Sequence, residues 1–246
     1  LRTREFFWQE GHTAHATAEE AMDETLDMLG VYAEFYENAL AIPVLRGLKS
    51  ESEKFAGAVR TYAVEAMMHD GKALQAGTTH YLGDGFAKAF NIQFTDKDNT
   101  LRFVHQTSWG ISSRSIGGII MVHGDDDGLI LPPAVAPYQA VVIPVAPHKT
   151  GVLEGAKELT DRLKAAGLRV LLDDSDRTPG WKFAEHEMKG VPVRLEIGPR
   201  DLEKRQCVAV SRDNREKTEI PLGQAVKTLP LLLEALHDRI FQKAKK

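Results

Sequence analysis

The sequence predicts an α/β protein in two parts, an α+β part followed by a separate α/β domain. Three observations predict it. After Pro133, short β-favouring runs alternate with amphipathic helical stripes, the pattern of an α/β domain. Before Pro133, one long helical stripe leads into several β-favouring runs broken by turn signals such as Asp70-Gly71. The chain has 246 residues, 43% of them hydrophobic and 27% charged, which suits a globular chain of one or two domains with a substantial core.

The opening run, residues 2–15, carries Arg2 and Arg4, the aromatic trio Phe6-Phe7-Trp8, and Glu10-Gly11-His12 with His15. In an extended strand, Arg2, Arg4, Phe6 and Trp8 share one face, and Glu5 and Phe7 take the other. Two arginines and two aromatics on one face are expensive as core, and suit the floor of a pocket for a flat, anionic ligand. His12 and His15 lack a third ligand at a recognised zinc spacing. Thr17-Ala18-Glu19-Glu20 is a capping box. The helix it opens places Ala18, Met22, Leu26, Leu29, Ala33, Tyr36 and Leu40 near the 3.6 period, and should end before Pro43.

Residues 44–60 read as loop, with KSESEK (49–54) a solvated turn and Phe55, beside Ala56-Gly57, an aromatic able to close a pocket. Residues 61–68 read as a strand. Glu65 is the one carboxylate in it and calls for a partner, a metal or a cation. After the Asp70-Gly71 turn, residues 73–80 group Gln75, Thr78, Thr79 and His80 around Gly77. That set suits a small polar ligand, or a β-turn whose side chains cap backbone groups. Residues 83–90 look helical and 91–95 extended.

The run 105–133 predicts strand, turn, helix, loop and strand, closed by Pro132-Pro133. Leu101 to Val104 leads in, and residues 115–122 form the helix. Ser112, Ser113 and Arg114 stand at its start, where free backbone N–H groups favour an anion. An arginine there needs an anion or a π-face if it is buried. The same residues also suit a surface turn with a solvated arginine.

In the second part, residues 139–145 predict a strand. A helical stripe runs from Val152 to Ala166, closed by Gly167. Strands at 168–172, 191–197 and 206–211, a short helix at 183–188, an acidic loop at 173–180 and a turn at 198–201 follow. A last helix holds Leu231, Leu232, Ala235, Leu236, Ile240 and Phe241, with Pro230 near its first turn. The boundary is expected at residues 134–138, giving parts of 1–133 and 134–246.

The formal net charge of −4 and a pI near 6.2 exclude a bulk basic surface, so any nucleic-acid binding must use a few specific contacts. The single cysteine, Cys207, forms no internal disulfide and no multi-cysteine zinc site, and favours a reducing, cytoplasmic compartment. No apolar run approaches the roughly 18 residues of a membrane span. The opening run has no basic or apolar leader and does not read as a signal peptide. A start at Leu1 and an end inside a helical pattern predict a piece of a longer chain.

Read in order, these pieces resemble the prolyl-tRNA synthetases, a family of class II aminoacyl-tRNA synthetases. They are Arg2-x-x-x-Phe6, then FWQEGHTAHAT, Lys54-Phe55-Ala56-Gly57, and Gln75 through His80. Ser108 through Arg114 and HGDDDGLILPP follow, and in the second part Gly180-Trp181-Lys182-Phe183, Lys189-Gly190-Val191-Pro192 and Gly198-Pro199-Arg200-Asp201. The resemblance covers essentially the whole chain. It implies an antiparallel class II sheet in the first part and a mixed-sheet anticodon-binding domain in the second.

The resemblance also implies roles. Arg2 and Phe6 match the second half of motif 2, with the arginine on ATP phosphate and the phenylalanine on adenine. Arg114 matches the motif 3 arginine on the other face of adenine; Arg2 and Arg114 are the catalytic candidates. Gln75 and Thr78 match positions around ATP and Mg²⁺, with Thr3 and Ser112 nearby and Glu65 a further Mg²⁺ candidate. Trp8, Glu10, Phe55 and His80 match the proline pocket. Phe183, Glu187, Arg194, Arg200 and Asp201 match the face that reads the adjacent guanines of the proline anticodon. The implied partners are ATP, L-proline and tRNA(Pro), with a homodimer at full length and neither membrane nor DNA.

The interval from Phe6 to Ser113 is too short for a large editing insertion, which points to the archaeal and eukaryotic-like type. The first arginine of motif 2, motif 1 and the proline-gripping loop are expected upstream of Leu1, and a further C-terminal domain beyond Lys246. The implied function is proline–tRNA ligation, with this piece incomplete for catalysis. Two other readings are a synthetase-derived RNA-binding protein without chemistry, against which Arg2, Gln75, His80 and Arg114 speak, and a sister enzyme for histidine, threonine or glycine, which the run from Trp8 to His12 disfavours.

Overall fold

The computed structural model describes residues 4–246; the expectations for Arg2 and Thr3 lie outside that range. The chain divides into two compact units, Leu1–Asn38 with Ile42–Val122, and Ala39–Ala41 with His123–Lys246.

The first unit runs β1 (Trp8–His15), α1 (Ala18–Glu34), β2 (Val44–Leu48), β3 (Arg60–Met67) and β4 (Ala73–Gly83). It continues through α2 (Gly85–Phe90), β5 (Gln93–Thr95), β6 (Leu101–Phe103) and β7 (His105–Ser112) to α3 (Arg114–His123), which ends one residue past the division. Five strands pair antiparallel in the order β1-β7-β4-β3-β2, and β5 and β6 form a separate hairpin. The antiparallel sheet expected for the first part is therefore present.

The capping box forms as read: the Glu20 amide donates to Thr17 Oγ1 at 3.2 Å and the Thr17 amide to Glu20 Oε2 at 3.3 Å. The expected stripe holds at Leu29, Ala33, Tyr36 and Leu40, all buried, and fails in the first half of α1, at Ala18, Met22 and Leu26. The buried face runs through Ala21, Thr25, Leu29, Tyr32 and Ala33 and on to Tyr36 in a π-helical turn, Phe35–Ala39, while Leu26 is 43% exposed. Two tyrosines choose this face because their hydroxyls reach polar atoms of the sheet, Gln9 Oε1 at 2.7 Å for Tyr32 and the Ala76 carbonyl at 3.0 Å for Tyr36. Thr25 is tolerated there because its hydroxyl donates back to the Ala21 carbonyl at 2.8 Å.

Four expectations need correction. Residues 4–7 are not strand, so β1 begins only at Trp8. Residues 44–48 are not loop but an edge strand; Leu45 and Leu48 are exposed, so the usual alternation is missing. Residues 73–83 are a strand and not a turn. The strand expected from residue 105 is longer than read: β7 runs on to Ser112, with Thr107, Ser108 and Trp109 all buried.

The second unit runs β8 (Ala140–Pro144), α4 (Val152–Ala165), β9 (Val170–Leu172), α5 (Pro179–Met188) and β10 (Val193–Ile197). Then come α6 (Pro199–Glu203), β11 (Gln206–Ser211), β12 (Lys217–Pro221) and α7 (Ala225–Ala244). The strand order is β12-β11-β10-β8-β9, parallel for β10, β8 and β9 and antiparallel for the other pairs, which is the mixed sheet expected. Its core packs Val142, Leu159, Leu163, Leu195, Ile220 and Leu229, all at most 1% exposed. Gly167 closes α4 with φ 85°, the left-handed region that favours glycine.

Corrections apply here too. The expected turn at 198–201 opens α6, since Pro199 supplies a helical φ and Asp201 accepts the Gly198 amide at 2.8 Å. β12, with a polar sequence, was not expected. Helix α5 begins at Pro179, capped by Thr178. Helix α7 begins at Ala225, which leaves Pro230 inside it, exposed, beyond the first turn. No strand forms at 128–131; the amides of Leu129 and Leu131 instead donate to the carbonyls of Met188 (3.0 Å) and Gly190 (3.3 Å). Among the described residues, no helix is long and apolar enough to cross a membrane.

Candidate functional site

Residues directly opposite each other on paired strands share a face of the sheet. One row across the first unit is Glu10, Gly110, Thr78, Ala63 and Gly47; the next is His12, Ser108, His80 and Thr61. Glycine and alanine at three places of the first row leave a hollow between longer side chains. The opposite face belongs to α1, where a Cβ on Gly77 would stand 3.1 Å from the Tyr32 ring.

A bulge completes the set. Ala63 pairs with Thr78 and Glu65 with Gln75, so Ala76 is the extra residue in β4. Residues 63 and 65 share a face of β3, so Thr78 and Gln75 share the corresponding face of β4. Strict alternation would have turned Gln75 away. The Ala76 carbonyl is satisfied by the Tyr36 hydroxyl, and burial pushes that phenol up to about 12.

Phe6, Trp8, Gln75, Thr78, Ser112 and Arg114 line one open cavity of about 150 Å³. Phe6 and Trp8 meet edge to face with centroids 6.1 Å apart. Arg114, the first residue of α3, donates from Nη1 to the Gln75 carbonyl at 3.2 Å, and its amide donates to Ser112 Oγ at 3.3 Å. Lys49 Nζ donates to the Gln75 side-chain oxygen at 2.5 Å. Two cations thus converge on one residue, and among the described residues neither makes an ion pair with a carboxylate. Sequence reasoning missed Lys49, which it placed in a solvated turn.

Beside this cavity, Phe55 packs on His80 with ring centroids 5.1 Å apart. Thr61 Oγ1 accepts the Phe55 amide at 3.0 Å and lies 2.9 Å from His80 Nδ1. Burial holds the His80 imidazole below its usual range; Glu10 pulls the other way and Lys49 adds to the lowering. In the neutral ring the donor in that contact is the Thr61 hydroxyl or Nδ1–H, according to which ring nitrogen carries the proton. Glu10 also lies 3.3 Å from His12 Nε2.

The histidines His12 and His15 do not converge, since His15 Nε2 bonds Thr13 Oγ1 at 2.7 Å. Among the described residues, no three His, Cys, Asp or Glu side chains form a metal site. Glu65 lines a neighbouring groove with Lys49. Next to it stands Gln75, its partner across the strands, whose oxygen already accepts from a cation.

In the second unit, the Arg194 guanidinium lies 4.1 Å above the Phe183 ring and bonds Glu187 at 2.7 Å and Glu196 at 2.8 Å. These residues form one cluster on α5 and β10. Glu196 was missed; its place two residues beyond Arg194 in a strand was the available signal. Arg200 and Asp201 lie past the other end of β10, on α6; Arg200 is exposed and Asp201 caps its helix.

Comparison with known proteins now bears on this geometry. A model of the tRNA synthetase class II core domain (G, H, P, S and T) matches residues 1–123, and a model of the anticodon binding domain matches residues 139–231. The chain is 63% identical over 245 residues to a proline–tRNA ligase of Ruminiclostridium cellulolyticum, 59% to one of Lachnospira eligens and 56% to proline–tRNA ligase 2 of Bacillus cereus. Each alignment covers 100% of this chain and 51% of the relative, so the chain spans about half the length of the curated relatives it matches. An antiparallel sheet followed by the helix that Arg114 opens, and a mixed-sheet unit bearing Arg194, fall inside those two matched regions, and the chain belongs to the class II tRNA synthetase family.

Proposed function

We propose that the protein of which this chain forms a part joins proline to tRNA(Pro) by way of prolyl-adenylate. The proline carboxylate attacks the α-phosphorus of ATP and pyrophosphate leaves. The tRNA 3′ hydroxyl then attacks the activated carbonyl and AMP leaves. The observation that carries this reading is the single cavity gathering Phe6, Gln75, Thr78, Ser112 and Arg114, with the Glu10, Phe55 and His80 group beside it. The similarity to proline–tRNA ligases supports proline as the amino acid.

Phe6 and Arg114 supply a ring and a guanidinium for the two faces of a purine. Thr78 and Ser112 supply hydroxyls. Trp8 and Phe55 wall an apolar slot, and Glu10 supplies a carboxylate for the substrate ammonium. Acceleration comes from positioning and charge stabilisation by the cations, and nothing in the site calls for a general base. Magnesium binds through few protein oxygens when phosphates complete its shell. Glu65 fits such a sparse set, whereas the side-chain oxygen of Gln75 opposite it is already taken by the Lys49 ammonium in this structure; the ion would supply neutralisation of phosphate charge. Arg2 and Thr3 belong to the same proposed nucleotide site.

The Phe183, Glu187 and Arg194 cluster, with Arg200 and Asp201, is the proposed reader of the anticodon. An arginine suits the acceptor edge of guanine, a carboxylate its N–H donors, and a ring stacks on an unpaired base. We take residues 1–133 as the catalytic part and 134–246 as the anticodon-binding part. We also propose that the 246-residue chain alone does not form the adenylate, because it spans only about half of its relatives. At full length the protein is proposed to be a cytoplasmic homodimer.

The test is charging of tRNA(Pro) with labelled proline by the full-length protein. Labelled prolyl-tRNA is expected. Binding of the tRNA without charging would instead mark an RNA-binding protein that has lost the chemistry.

A further inference from the structure

The last turn of a helix leaves carbonyl groups without internal partners. At the end of α5 three carbonyls in this region receive donors from outside the helix. The Glu187 carbonyl accepts Arg212 Nε at 2.9 Å, and the Met188 and Gly190 carbonyls accept the amides of Leu129 and Leu131. Arg212 is itself anchored. Its two terminal nitrogens make a bidentate pair with Asp125, at 2.6 and 2.9 Å, and its side chain is 2% exposed.

The segment 125–131 is therefore a strap across the end of α5, within the second unit. It sits very close: a Cβ on Gly128 would stand 2.5 Å from Met188 Cα, and one on Gly190 would stand 2.6 Å from Leu129 Cβ. The guanidinium ties the strap to the one helical residue, Glu187, whose carboxylate holds Arg194 at 2.7 Å. Planar, bidentate pairing fixes direction as well as distance, which a lysine ammonium does not.

We infer that Arg212 is a positioning residue for anticodon reading: by tying Asp125 to the Glu187 carbonyl it sets the height at which Glu187 meets Arg194. Arg212 is too buried to touch a base. It acts through Glu187, as a supporting residue acts on the one that contacts the ligand. This inference rests on the proposed reading of Phe183, Glu187 and Arg194 as the anticodon face.

The experiment uses the full-length protein with Arg212→Lys and, separately, Asp125→Asn, which keeps Arg212 and an acceptor of the same shape. Two tRNA(Pro) transcripts are charged, one native and one with an anticodon guanine changed to adenine. The expected result for both variants is a fall of about tenfold in the ratio of kcat/KM between the two transcripts, the size of one lost charged hydrogen bond. Proline-dependent ATP–pyrophosphate exchange is expected to stay within about twofold of the parent. Loss of folded protein lowers charging of both transcripts equally and leaves the ratio in place. An unchanged ratio in both variants overturns the inference. A parent that charges tRNA(Pro) but ignores the guanine change overturns the reading of the anticodon face, and with it this role for Arg212.

Discussion

The hydroxyl of Thr61 lies 2.9 Å from Nδ1 of His80, in a site where burial holds that imidazole below its ordinary range. The unfolded chain takes up a proton at His80 near its ordinary value of 6.5, while the folded chain resists until lower pH. The stabilisation from a neutral His80 is therefore fully present above about pH 6.5. It is lost as pH falls through the lowered folded value. Urea unfolding of the parent and of His80→Asn across pH 5–8 checks this. The stability gap between them is expected to narrow on the acid side. A gap that widens there would contradict the assignment.

The two arginine sites should separate kinetically. Arg114→Ala is expected to reduce proline-dependent ATP–pyrophosphate exchange by the full-length protein by about tenfold, as for loss of the guanidinium that covers one face of the adenine. Arg194→Ala is expected to leave exchange nearly intact and to weaken tRNA charging by about tenfold, mainly in KM for tRNA. Equal loss of exchange in both variants would count against the division of roles.

The indole of Trp109 lies over Gly11, on the neighbouring strand, where an added Cβ would stand 2.3 Å from the ring. Gly11→Ala should cost about 1–3 kcal/mol through overpacking. Replacing Trp109 with leucine in the same chain should recover part of it. Chemical denaturation of the single and double variants provides the measurement, and a neutral Gly11→Ala would show that the sheet relaxes freely there.

Much of this architecture was legible because local chemistry announced it. The capping box at Thr17 and Glu20, the Asp70-Gly71 turn and the alternation of strand and helix after Pro133 each have a short-range cause. The features that escaped notice depend on partners far along the chain. Gln75 joins the face of Thr78 only because Ala76 bulges against β3, which no periodicity of β4 reveals. Strand β2 lies at the sheet edge with Leu45 and Leu48 exposed, so it lacks the alternation that marks a strand and read as loop. On α1, Tyr36 was expected on the buried side, but Tyr32 joins it because its hydroxyl finds Gln9. Lys49 looked like a solvated charge until the fold set it against Gln75. Arg194 was recognised, but its second carboxylate, Glu196, was not.

Cys207 sits in the core of the mixed sheet, fully buried, and burial pushes its thiol up to about 11. Little thiolate forms near neutral pH and none of it is reachable. A thiol-reactive chromogenic disulfide should therefore label the native chain extremely slowly and the urea-unfolded chain at once. Rapid labelling of native protein would contradict the core placement of β11.

The cavity on the first sheet is proposed to serve proline activation. ATP–pyrophosphate exchange by the full-length protein, run with proline, threonine, histidine and glycine in parallel, tests it most directly. Exchange is expected to depend on proline and not on the other three. Exchange driven by another of these amino acids, or none with proline, would contradict that proposal.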